Sequence, residues 1–178
     1  MITRPGALAF TLLALLLATP SLSKAAESIS DSPRRPIRST DRRLRMLLDD
    51  GLRISPTLRA LVARLQASDV VVYLRCDGIA GPDGRLTFVA SAGGYRYVVV
   101  RMAHFPRAQQ IAIMAHELRH AVEIADTPAI VDGPSLVREY QRIGYLNQTS
   151  PLPGVAFDTA AAVDAGKQVL KEMLQEDD

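Results

Sequence analysis

Residues 107–125 read RAQQIAIMAHELRHAVEIA. Pro106 stands immediately before this stretch and Thr127-Pro128 just after it, so the sequence predicts one long helix from Arg107 to about Ala125. Ile111, Met114, Leu118 and Val122 recur at intervals of three and four and form one apolar face. Ile113 and Ile124 flank the opposite side, where His116 and His120 project. A helix that is apolar nearly all round is buried. The rest of the chain must therefore supply layers that cover it, with the two histidines facing a cleft or a second layer.

The flanking sequence offers those layers. Val70-Val71-Val72-Tyr73-Leu74 is a β-branched run, Leu86 to Ala90 is a second strand, and Tyr95 to Val100 is a third after the hairpin signal Gly93-Gly94. Upstream, Thr40 or Asp41 caps a short helix that carries Leu44, Met46, Leu47 and Leu48 and stops at Gly51. Ser55-Pro56 opens a second helix, in which Leu58, Leu61, Val62 and Leu65 recur to about Gln66. Downstream, Asp132-Gly133-Pro134 starts a helix through Ile143, residues 147–154 (NQTSPLPG) form a loop, and Asp158 or Thr159 begins a last helix from Ala160 to Leu174. The expected class is α+β: two N-terminal helices, a three-stranded antiparallel sheet, the buried central helix and C-terminal helices.

The chain has 178 residues, 48% hydrophobic and 22% charged. That balance excludes a disordered chain, a collagen-like repeat and a polytopic membrane protein, and suits one domain. Aromatics are 5% with no Trp, so aliphatic side chains make most of the core. Arg4, the twelve-residue apolar run Ala7–Ala18, Pro20 and the small residues Ser21, Ser23, Ala25 and Ala26 follow the plan of a signal peptide over residues 1–25. The run is shorter than the ~20 residues of a membrane span. The expectation is an exported protein, periplasmic or secreted, with no stable membrane anchor after removal of the leader. Residues 26–40 are expected to be a flexible linker and residues 41–178 a single domain.

Residues 1–25 hold Arg4 and Lys24 and no acid, so their loss takes the formal net charge from +2 to 0 and argues against a nucleic-acid partner. Arg34, Arg35, Arg38, Arg42, Arg43 and Arg45 remain as a local cluster, read as a solvated linker and the polar face of a helix. The single Cys76 cannot form an intramolecular disulfide and is expected to pack as a small hydrophobe.

The chemistry concentrates at His116-Glu117-Leu118-Arg119-His120. With 3 His and 6 Glu in the chain, chance produces this pattern in on the order of 0.2% of such sequences. On a helix, positions i and i+4 lie ~40° apart, so the two imidazoles project from one face, one turn apart, and can share a divalent cation, with Zn²⁺ the usual choice for nitrogen donors. Glu117 lies ~100° round from His116, beside the ligands, where a carboxylate can act as general base on a metal-bound water. The bland alternative is a pair of hydrogen-bonded core histidines. A catalytic zinc needs a third protein ligand. Glu139, beside the apolar stripe Leu136, Val137, Tyr140 and Ile143, is the favoured candidate. Glu123 is the rival, although it is better placed to orient His120 or pair with Arg119. Asp126, Asp132 and His104 remain open. Tyr140 and Tyr145 can donate to an oxyanion, but packing is the simpler role for both.

His116-Glu117-Leu118-Arg119-His120 resembles the zincin metallopeptidases, and a Glu at the spacing of Glu139 is similar to the gluzincin branch. The resemblance covers about residues 111–140. It implies His116, His120 and Glu139 as zinc ligands and Glu117 as the base that activates water and passes its proton to the leaving amine. It also implies a zincin-like fold with a mixed sheet whose edge strand aligns an extended peptide or protein substrate. The chain departs from the aminopeptidase-type pattern at Arg138, where Asn is usual, and from the metzincin pattern at Glu123, where Gly is required. The layout also resembles small exported bacterial proteins with a zincin-like helix and no assigned activity. A non-catalytic metal-binding or protein-interaction domain is therefore the second expectation, and a purely structural α+β protein the third.

Overall fold

The computed structural model describes residues 35–77, 83–146 and 157–176, all within one compact unit over residues 33–178. The expected leader (1–25), residues 26–34 and the loop 147–154 lie outside the described residues. The elements run β1 (Ile37–Arg38), α1 (Arg42–Ile54), α2 (Pro56–Gln66), β2 (Val70–Cys76), β3 (Gly84–Ala92), β4 (Tyr95–Met102), α3 (Arg107–Asp126), α4 (Gly133–Ile143), β5 (Tyr145–Leu146), β6 (Phe157–Asp158) and α5 (Ala160–Gln175). The class is α+β, with five helices, a mixed four-stranded sheet and a two-stranded sheet among the described residues.

The sheet corrects the expected three-stranded antiparallel arrangement. Its order is β1-β2-β4-β3: β2 runs parallel to β4, and only β3 is antiparallel, joined to β4 through the Gly93-Gly94 hairpin. Burial explains the order. In β2, Val70, Val71, Val72 and Leu74 are buried, and β4 buries every second residue at Arg96, Val98, Val100 and Met102. β3 (GRLTFVASA) has no buried residue. The most apolar strands take the centre, where both neighbours cover them, and the least apolar one goes to an edge. Simple chain-order pairing would have put β3 in the middle. The flexible-linker expectation also fails at its C-terminal end, because Ile37 and Arg38 pair in parallel with Val72 and Tyr73.

Gly51 does not stop α1. The helix runs through it to Ile54, and a Cβ there would lie 2.6 Å from Leu58 Cδ2 and 2.7 Å from Ile111 Cγ2. It is a close-approach position between helices. The caps otherwise follow the sequence: Asp41 accepts from Arg43 N and Leu44 N, Ser55 from Leu58 N, and Asp132 forms a capping box with Ser135.

Helix α3 is the centre of the molecule. It contacts β2, β3 and β4 as well as α1, α2 and α5. Ile111, Met114, Leu118, Val122 and Ile124 are completely or almost completely buried. Pro106 provides no side-chain cap, and Gln110 ties the segment before the helix to its first turn. Its Oε1 accepts from Phe105 N at 2.9 Å and its Nε2 donates to Ala103 O at 2.8 Å.

The C-terminal end of α3 is held by Arg96 from β4. Its guanidinium donates to the carbonyls of Ile124 (2.6 Å), Thr127 (2.9 Å) and Ile130 (3.2 Å), while Nε and Nη2 grip Asp69 at 2.7 and 2.6 Å. A buried cation thus adds a donor to carbonyls at and just beyond the helix end and sits at the favourable pole of the helix dipole.

Arg96→Met should lower unfolding free energy by about 3 kcal/mol in urea titration, because the charged bonds to three carbonyls and to Asp69 are lost together. A loss below about 1 kcal/mol would mean that water replaces the guanidinium. The Arg96 bond holds the Asp69 carboxyl below its ordinary range. The pair's contribution should therefore be complete above about pH 4 and fade as pH falls through the lowered value, and Asp69→Asn should flatten that acid limb.

Candidate metal centre

Helix α3 presents His116 and His120 from adjacent turns, with ring centroids 5.0 Å apart and ring planes at 79°. His120 is nearly buried, and His116 keeps about a quarter of its side-chain surface exposed. Asp158 from β6 closes the arrangement. Its Oδ1 lies 3.4 Å from His116 Nε2 and 3.7 Å from His120 Nε2, and the three donor atoms lie within 4.8 Å of one another. A tetrahedral ion with bonds of about 2.1 Å spaces its donors about 3.4 Å apart, so this set fits a zinc-sized cation with little adjustment. Two imidazoles and a carboxylate suit Zn²⁺ and other borderline divalent metals.

Asp158 reaches the histidines through two local features. β6 pairs with β5 (Tyr145↔Asp158), immediately after α4 ends at Gly144. A Cβ on Gly144 would lie 2.7 Å from Asp158 O and 2.9 Å from Tyr140 O, so only glycine permits this approach. Thr159 then caps α5, and Asp158 Oδ1 accepts from Thr159 N at 2.7 Å.

The field at the centre favours positive charge. Burial opposes charge on His120, but its bonds to Asp158 and Glu123 outweigh that and raise the imidazole to about 9. Burial and the neighbouring His120 lower His116. Burial also opposes ionisation of Asp158, yet the two imidazoles hold it below the ordinary carboxylate range. Such a group of carboxylates around two imidazoles takes up either a proton or a metal, and the two compete.

Glu117 is almost fully buried beside the ligands, and burial raises its carboxyl to about 7. A cation on the imidazoles would pull that value down toward the ionised form. The carboxylate packs on β3: a Cβ on Gly84 would come within 2.6 Å of Glu117 Oε1 and 2.8 Å of Ile113 Cγ2. The edge strand can lie this close to α3 only because residue 84 has no side chain.

The other proposed residues lie elsewhere. Glu139 does not join the group, because Arg142 takes its carboxylate at 3.1 Å through Nε on the same helix. Glu123 is buried behind His120. Its Oε2 lies 2.9 Å from His120 Nδ1, and Arg119 Nε approaches its Oε1 at 3.7 Å. This places it as the partner of the ring nitrogen that faces away from Asp158. Asp126 pairs with Arg64, Asp132 caps α4, and His104 lies against Cys76 Sγ at 3.3 Å and Arg43 at 3.1 Å. Cys76 is half-buried against the core. Tyr140 is buried with its hydroxyl on Glu123, and Tyr145 is exposed. The residue the sequence reading missed as a ligand is Asp158, read there only as a helix start. Its one signal was redundancy, since Thr159 alone suffices as an N-cap.

A cleft of about 330 Å³ opens over the centre. Its walls come from β3 (Gly84–Phe88), α4 (Leu136, Val137, Tyr140) and Phe157, with His116, Glu117, His120 and Asp158 at its floor. No helix among the described residues is long and apolar enough to cross a membrane.

Zn²⁺ competition against a chromophoric chelator should show tight binding at one ion per chain. His116→Ala, His120→Ala and Asp158→Ala should each weaken it more than ~100-fold, and Glu139→Ala should leave it unchanged. The reverse result for Asp158 and Glu139 would reinstate Glu139 as the ligand. No protein-family model matches the sequence, and neither curated proteins nor solved structures give a match.

Proposed function

We propose that this chain is an exported zinc-dependent hydrolase of the zincin type that cleaves peptide bonds, with His116, His120 and Asp158 as ligands and Glu117 as general base. The convergence of two ring nitrogens and one carboxylate oxygen, with a second, buried carboxylate beside them in an open cleft, carries the reading. Three histidine and carboxylate donors leave a tetrahedral ion one position for water, which is the pattern of catalytic rather than structural zinc. When bound, the cation supplies Lewis-acid polarisation of the scissile carbonyl and a lowered pKa for its water.

The chain's own groups do the rest. Glu117 accepts the proton of the attacking water and returns it to the departing amine, a role its buried carboxyl beside His116 and His120 is placed to fill. The edge strand β3 runs along the cleft and is paired on one side only, with β4. Its other edge can receive an extended peptide by strand addition. Tyr140 does not serve the reacting carbonyl, because its hydroxyl is committed to Glu123 at 2.9 Å. The mixed sheet with an antiparallel edge strand over the histidine helix supports the zincin comparison, and so does the HExxH sequence itself.

Glu117→Gln should retain one Zn²⁺ per chain and lower hydrolysis of an unfolded protein substrate at least ~10³-fold. Gly84→Val should act similarly, with metal kept and turnover reduced, because its side chain displaces the Glu117 carboxylate. Zinc bound without cleavage of any member of a broad peptide library would replace the hydrolase with a metal-binding module.

A further inference from the structure

The third ligand sits on a different element from the two histidines, so something must hold α5 in register with α3. Packing supplies part of this. A Cβ on Gly166 of α5 would lie 3.3 Å from both Ala112 O and His116 Cβ, so the two helices are in close contact there. Arg107 of α3 pairs with Glu176 at the far end of α5 at 3.8 Å, and next to the metal centre the polar contact is a buried hydroxyl. Thr159, the residue after Asp158, is 4% exposed. Its Oγ1 donates to Glu123 Oε1 at 2.7 Å and accepts from Ala162 N at 3.1 Å. Glu123 Oε2 meanwhile lies 2.9 Å from His120 Nδ1 and accepts from Tyr140 Oη at 2.9 Å.

Resting on the metal-centre reading, we infer that Thr159 is a positioning residue that locks the Asp158 ligand to His120 through Glu123. The chemistry is specific. A donor–acceptor hydroxyl fills both roles at once, capping α5 and anchoring it to the carboxylate behind the histidine ligand. With both oxygens of Glu123 occupied, His120 Nδ1 carries its hydrogen toward Oε2 and Nε2 keeps a lone pair for the ion. Ligand and ligand-orienting group thus share one buried network, and the Thr159 bond ties the spacing between Asp158 and the imidazoles to α5 in addition to the β5–β6 pairing.

The test compares Thr159→Val, Thr159→Ser and Asp41→Ala. The last removes the cap of α1, an element with no residue in the cleft, and matches the loss of a helix cap without touching the network. Zn²⁺ affinity should fall about 10–100-fold in Thr159→Val and stay near wild type in Thr159→Ser and Asp41→Ala. The visible absorption of bound Co²⁺ should change in Thr159→Val, reporting altered ligand geometry, and be restored in Thr159→Ser. If Val prevents folding, Thr159→Ala carries the same expectation. Wild-type affinity and an unchanged Co²⁺ spectrum in the Val or Ala variant would overturn the positioning role alone. A wild-type chain that takes up neither Zn²⁺ nor Co²⁺ would overturn this role together with the metal centre it rests on.

Discussion

The burial of most of α3 between the sheet and the other helices is the constraint on which the structure depends. A helix with apolar residues on both faces must be covered by the sheet on one flank and by α1, α2 and α5 around the rest. Four of its polar side chains are then buried with it. Gln110, Glu117, His120 and Glu123 are all below a tenth exposed. A buried polar group costs free energy unless it is bonded, so each must find a partner within the protein. Among the described residues no buried side-chain nitrogen or oxygen lacks one.

That requirement shapes the environment of the histidines. Gln110 closes the start of the helix, Arg96 closes its end, and Glu123 takes the inward nitrogen of His120. The outward nitrogens face Asp158, and Glu117 lies to one side under Gly84. The polar groups that the helix cannot leave unpaired fall into two sets. One set braces the fold, and the other converges on a point where a cation could be held. This separation is why the braces at both ends of α3 can be altered without removing a donor from the centre.

Glycine marks the places where backbones come closest. Gly84 lets the edge strand approach Glu117, and Gly144 lets α4 hand the chain to the β5–β6 pair that carries Asp158. Neither contact is visible as a hydrophobic pattern. Both depend on the absence of a side chain at one position rather than on an attraction.

Much of this was legible in the sequence. The extents of α2, α3, α4 and α5 follow from Ser55-Pro56, Pro106 with Thr127-Pro128, Asp132-Gly133-Pro134 and Thr159, because caps and prolines act through bonds to neighbours a few residues away. The pairing of His116, Glu117 and His120 on one helical flank follows from helical geometry alone. Strand order, the inclusion of Ile37–Arg38 in the sheet and the identity of the third donor did not follow. They turn on which surfaces are most apolar when all elements compete for the centre, and on a residue thirty-eight positions beyond His120 brought back by a two-residue ladder. Local bonding determined the elements and two of the donors. Only the packing of distant elements decided that Asp158 rather than Glu139 faces them, because Arg142 takes the Glu139 carboxylate, whereas Asp158 precedes the α5 cap Thr159, whose hydroxyl reaches back to Glu123 on α3.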